Sequence, residues 1–187
     1  TEDTELTETT NRTKYPQEAE PTVLRGHQGY VEAAMFSPRN NFVLTGSKDQ
    51  KILKWSFNGE ILDTYLAHED DVEALDISQD EKLMISGSKD STAILWDLSN
   101  GKVLQRLKHK APVWSVAFSP KASIVAVATA DHVAYLYDFQ GNELRAFYGH
   151  QGDIEALKFS PDGETLLTAS WDNTIKLWQV ETAEDKR

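Results

Sequence analysis

Four side-chain types recur four times at one fixed interval, and this limits what the chain can become. Histidines stand at His27, His68, His109 and His150, each 41 residues after the last. Each is followed at twenty residues by a hydroxyl (Ser47, Ser88, Thr129, Ser170) and at twenty-two by a carboxylate (Asp49, Asp90, Asp131, Asp172). An aromatic closes each set: Trp55, Trp96, Tyr137 and Trp178. No insertion breaks the register. A repeat of this length is one supersecondary unit that buries its apolar surface only by stacking on its neighbours.

Within each repeat the pattern predicts four short strands. A β-branched residue (Val31, Val72, Val113, Ile154) opens a run that is apolar on both faces, as a strand covered on both sides requires. Turn signals follow: Ser37-Pro38, Ser119-Pro120 and Ser160-Pro161, then Asn58-Gly59, Asn100-Gly101 and Gly141-Asn142. Strands every 8–12 residues with such turns between them predict an all-β fold. The fourth repeat has no Asn-Gly turn after Trp178 and is expected to supply three strands only.

The Gly-His, Ser-x-Asp and Trp-Asp landmarks resemble the blades of WD-repeat (WD40) β-propellers, over residues 23–180. Three details depart from that pattern. Trp96-Asp97 is the single Trp-Asp pair at the position of the closing aromatic, Gly-His becomes Ala67-His68 and Lys108-His109, and Tyr137 replaces Trp in the third repeat. The resemblance implies four wedge-shaped sheets, with repeats at about 24–64, 65–105, 106–146 and 147–181. It implies that each Asp orients its His, the His meets the hydroxyl, and the hydroxyl meets the indole. It also implies closure by the N-terminal run Thr22-Val23-Leu24, which should supply the strand that the fourth repeat lacks.

How the ring closes stays open at this level. A bare blade face of about 300 Å² is worth roughly 7 kcal/mol if apolar. That is comparable with the whole stability of a domain, about 5–15 kcal/mol. Two chains forming an eight-bladed ring, or a piece of a longer propeller, are therefore preferred to a four-bladed ring closed alone.

Composition narrows the chemistry. The 187 residues carry a net charge of −11, 40% hydrophobic residues and no cysteine. This excludes disulfides and thiolate sites, fits an intracellular, cytoplasmic protein, and disfavours nucleic acid, whose binding rests on Lys and Arg at phosphates. No apolar run suggests a membrane span. Residues 1–21 are acidic and nearly free of apolar side chains, and are expected to be a disordered leader. Residues 22–181 would form the propeller and residues 182–187 a charged tail. No metal or phosphate motif is present, and no cofactor is expected. His132, outside the repeat pattern, reads as solvated rather than as a ligand.

Ser, His and Asp together invite a hydrolase reading, but a catalytic trio has no reason to recur four times with an aromatic at fixed phase. The expectation is a non-enzymatic scaffold. The resemblance places partner contacts on one rim, at the residues flanking each β-branched position and before each turn Asp. Those of interest are Tyr30, Glu32, Asp71, Glu73, Trp114, Asp153, Glu155 and Trp171. Lys48 and Lys89 share the rim and leave open a bland reading in which they neutralise nearby acids. Aromatic anchors among carboxylates suit a protein or peptide carrying Lys or Arg. A purely architectural module that assembles through its blade edges is the alternative.

Overall fold

In a computed structural model, which describes residues 20–180, every strand is antiparallel to its neighbour and the strands fall into four separate sheets. The first sheet contains β1 (Val31–Phe36), β2 (Val43–Ser47), β3 (Lys51–Trp55) and β4 (Ile61–Leu66), in that order. The second contains β5 (Val72–Ile77), β6 (Leu83–Ser88), β7 (Thr92–Asp97) and β8 (Lys102–Lys108). The third contains β9 (Val113–Phe118), β10 (Ile124–Thr129), β11 (Ala134–Asp138) and β12 (Glu143–Phe147). The fourth holds only β13 (Ile154–Phe159), β14 (Thr165–Ser170) and β15 (Ile175–Gln179). The leader and tail expected from the sequence lie outside the described residues. No helix among the described residues is long and apolar enough to cross a membrane.

Each sheet is a simple meander, and its turns carry the backbone the sequence asks for. Gln50, Ser91, His132 and Asn173, again 41 apart, all adopt positive φ of 64–69° in the turn that follows the repeat's Asp. A hydrogen bond closes that turn in each copy, from the amide of this residue to the carbonyl of Ser47, Ser88, Thr129 or Ser170. Polar side chains that tolerate this conformation are used here in place of glycine.

The core lies between sheets, in three layers. Leu44, Ile52 and Tyr65 of the first sheet meet Val72, Met84 and Trp96 of the second. Ile85, Ala93 and Leu95 meet Val113, Val125 and Val127. Ala126, Ala128 and Leu136 meet Ile154, Leu157 and Leu166. Small residues make the close approach possible. A Cβ on Gly46 would lie 2.7 Å from a methyl of Val72, and one on Gly87 2.5 Å from a methyl of Val113. Each β-branched residue thus fills a hollow in the sheet before it, and Ala128 holds the matching place for Ile154.

The series is open at both ends. Val31, expected to be covered, is 51% exposed, whereas Val72, Val113 and Ile154 are fully buried. Thr22-Val23-Leu24 forms no strand and does not meet the fourth sheet; it runs beside the Gly59 turn of the first. Within one chain, then, this segment does not supply the strand that the fourth repeat lacks, in line with the preference against a four-bladed ring closed alone. The 41-residue register puts this segment next to the first sheet, where β4, β8 and β12 stand next to the sheets that follow them. Four sheets in sequence do not bring it round to β15.

Candidate functional site

Three of the four repeats contain the same buried polar relay. In the first, the indole Nε1 of Trp55 donates to Thr45 Oγ1 at 2.8 Å. The same hydroxyl is 2.7 Å from His27 Nε2, and His27 Nδ1 is 2.9 Å from Asp49. The second repeat matches it with Trp96, Ser86, His68 and Asp90 at 2.8, 2.7 and 2.8 Å. The fourth uses Trp178, Thr168, His150 and Asp172 at 2.8, 2.8 and 2.7 Å. One pattern of protons satisfies every atom: indole N–H to hydroxyl oxygen, hydroxyl hydrogen to Nε2, and Nδ1–H to carboxylate, with the ring neutral.

The hydroxyl in this relay is not the one the Ser-x-Asp motif suggests. Ser47, Ser88 and Ser170 do not touch the histidines. Their Oγ atoms instead accept the amides of Asp49, Asp90 and Asp172, each at 3.1 Å, and cap the turn. Ser88 and Ser170 also donate to the carbonyls of Asp70 and Gly152. Register explains the difference. Trp55 pairs with Val43, so Thr45 lies two residues along the same face and Ser47 lies four. At about 3.3 Å per residue, the indole spans the first gap and not the second. A sequence signal for this existed: the hydroxyl ten residues before the Trp is present in three repeats. It is lost, as Val127, in the one repeat where Trp becomes Tyr137.

The third repeat has accordingly no relay. Val127 offers no hydroxyl, and His109 Nε2 is buried without a partner. Tyr137 does not replace the missing contact; its ring sits edge-on to His109 with centroids 5.7 Å apart. Asp131 turns to the hydroxyls of Thr129 and, at 3.1 Å, Tyr135. Burial therefore outweighs the opposing charge of Asp131 at His109 and lowers the ring's pKa to about 4. Asp90 behaves in the opposite way. Burial would raise it, but bonds from His68, Thr92 and the Glu69 amide outweigh that and hold its carboxyl well below the usual range.

The relay residues are held in mutual contact, with the hydroxyls of Ser86 and Thr168 fully buried and shared between imidazole and indole. This arrangement ties the turn to the third strand in the first, second and fourth sheets. It leaves no free nucleophile beside a base.

The rim residues have their own geometry. In every repeat the amide before the turn Asp donates to the carbonyl before the β-branched residue. These bonds are Lys48 to Tyr30, Lys89 to Asp71, Ala130 to Pro112 and Trp171 to Asp153, all at 2.9–3.0 Å. Between the two lies an irregularity in strand pairing, and Glu32, Glu73, Trp114 and Glu155 are the extra residues it contains. Such bulges re-aim a side chain, and here they turn one residue per sheet onto the same edge.

The rim's electrostatics differ along its length. Lys48 lies 3.3 Å from Glu32 and 3.7 Å from Asp71. Lys89 lies 2.8 Å from Asp71 and 2.9 Å from Glu73, and these two acids hold its ammonium pKa above the usual lysine value. Ala130 and Trp171 stand where the next two lysines would be. Asp153 accepts the Trp114 indole at 3.1 Å, with His132 at 3.5 Å. Glu155 has no cationic partner among the described residues, and burial together with Asp153 and Glu73 raises its pKa. Tyr30 and Trp171 are 79% and 67% exposed, while Trp114 is half-buried.

Repeated antiparallel sheets, packed face to face and in three of the four fastened by a His–hydroxyl–indole relay, define an open series of β-propeller blades. The family model described as "WD domain, G-beta repeat" matches residues 19–56, 59–97, 101–138 and 141–179, so the chain belongs to the WD40-repeat family, whose general class is the protein-interaction scaffold. The chain is also similar to a solved structure, "Crystal structure of the computationally designed Ika4 protein". The two are 30% identical with a TM-score of 0.77, over 88% of this chain and 99% of that one. No curated protein matches the sequence.

Proposed function

We propose that the chain is a non-enzymatic scaffold that holds a Lys- or Arg-bearing protein segment on its rim, at the end formed by the third and fourth sheets. The observation that carries this reading is Glu155. Its counterparts Glu32 and Glu73 each have a lysine of the chain beside them, whereas Glu155 faces only other carboxylates. An incoming cation relieves that repulsion. Exposed Trp171, whose amide bonds to the Asp153 carbonyl and which takes the place of Lys48 and Lys89 in the repeat, offers an aromatic surface on which the same cation or its aliphatic stem packs. Lys48 and Lys89 pair with Glu32, Asp71 and Glu73, which supports placing the partner's cation at the second half of the rim rather than the first.

The test is a titration of Trp fluorescence with a peptide set that varies only in Lys and Arg content. The expected result is saturable binding of basic peptides that weakens with salt and is reduced at least tenfold by Glu155→Gln or Trp171→Ala, with thermal unfolding unchanged. Equal binding by both variants, or no preference for basic peptides, defeats the assignment.

A further inference from the structure

We propose, resting on the rim reading above, that His132 competes with the partner's cation for Asp153: the protonated ring fills the place beside that carboxylate, and the neutral ring leaves it open. The observation is one of position. His132 Nδ1 lies 3.5 Å from Asp153 Oδ1, is shielded from solvent and makes no hydrogen bond among the described residues. Asp153 Oδ2 already accepts the Trp114 indole at 3.1 Å, so Oδ1 is the oxygen that remains. A neutral imidazole carries one N–H; a protonated one carries two, and Nδ1 then donates to Oδ1 as half of an ion pair. The side chain is 43% exposed, so a proton reaches the ring without any movement of the fold.

The repeat shows what the histidine replaces. Asp153 is the counterpart of Asp71, which Lys48 of the first sheet reaches at 3.7 Å. In the third sheet the counterpart of Lys48 is Ala130, which brings no charge to Asp153. His132, two residues further along the same turn, brings one when it is protonated. Its φ of 69° is the turn conformation it shares with Gln50, Ser91 and Asn173, none of which ionises. The first and second sheets are thus bridged by a lysine, which stays charged at neutral pH. The third and fourth are bridged by an imidazole, the side-chain type that ordinarily changes charge between about pH 5 and 8.

The surrounding charges leave the ring to Asp153. Asp131, the residue before it in the turn, binds the hydroxyls of Thr129 and Tyr135. Lys89 lies 5.8 Å from the Trp114 ring but is paired with Asp71 and Glu73. Glu155, whose pKa burial, Asp153 and Glu73 all raise, completes the cluster. One positive charge at Asp153 relieves this cluster whether it comes from His132 or from a partner.

The experiment repeats the titration with Lys- and Arg-bearing peptides at pH 8, 6.5 and 5.5. A site open only while the ring is neutral loses affinity in proportion to the neutral fraction, so the wild type is expected to bind about tenfold more weakly at pH 5.5 than at pH 8. His132→Asn keeps a residue type that adopts the same turn at Asn173, and is expected to weaken less than about twofold over that range. His132→Lys, charged throughout, should bind weakly at every pH. Wild-type binding that does not vary with pH, or a dependence that survives in His132→Asn and so belongs to Glu155, overturns the proposal. Absence of binding at pH 8 instead defeats the rim reading and the competition with it. A measurement without peptide keeps the two apart: the Trp114 indole N–H resonance should shift between pH 8 and 5.5 in the wild type and stay fixed in His132→Asn. A fixed wild-type resonance overturns the proposal even where the peptides bind.

Discussion

The Nε2 of His27 lies 2.7 Å from Thr45 Oγ1, two residues before the Ser of the Ser-x-Asp motif on the same strand. That hydroxyl also accepts the Trp55 indole, so one atom joins the turn to the third strand.

Removing it should leave two buried polar groups without partners. Thr45→Val keeps the shape but strands His27 Nε2 and Trp55 Nε1, and is expected to cost about 2–6 kcal/mol, since each buried unsatisfied group costs about 1–3. Ser47→Ala removes only a turn cap, and should cost about 1 kcal/mol. Denaturant titration of the two variants gives the order directly; a larger loss for Ser47→Ala would remove the assignment.

The third repeat offers the reverse experiment. Val127→Thr places a hydroxyl at the equivalent of Thr45 and Thr168, within reach of the partnerless Nε2 of His109. The expected outcome is a gain of about 1 kcal/mol, the net value of one hydrogen bond, on the same titration. A loss would mean that the pocket, rebuilt around Tyr137, no longer matches the other three.

His109 should also make stability depend on pH. Its folded pKa, about 4, is below its unfolded value, so the unfolded chain binds more protons between them. Stability from this residue is complete above about pH 6.5 and is lost as pH falls towards 4, by on the order of 2–3 kcal/mol. Unfolding of the wild type and of His109→Gln at pH 7.5, 5.5 and 4.5 isolates the effect, and the gap between them should narrow with acid. Depressed carboxylates such as Asp90 act at lower pH. Their contribution is present above about pH 4 and is lost as pH falls further towards their folded values.

Much of this protein was determined by sequence alone. The 41-residue period, the turn residues and the four strands per repeat follow from local backbone preference and from alternation of apolar side chains. The three strands that the fourth sheet shows among the described residues were visible for the same reason. Periodicity favoured Ser47, whose hydroxyl recurs in all four repeats, over Thr45, whose hydroxyl is lost as Val127 in the third; cross-strand register, which sets height along the sheet, made the choice. Nor could it tell which rim acids are free. Lys48 reaches Glu32 in its own sheet and Asp71 in the next, and such contacts exist only once sheets are stacked. The open ends at Val31 and Leu177 are likewise a property of the assembled array: a repeat specifies how it packs on a neighbour, but only the three-dimensional arc decides whether the last neighbour is there.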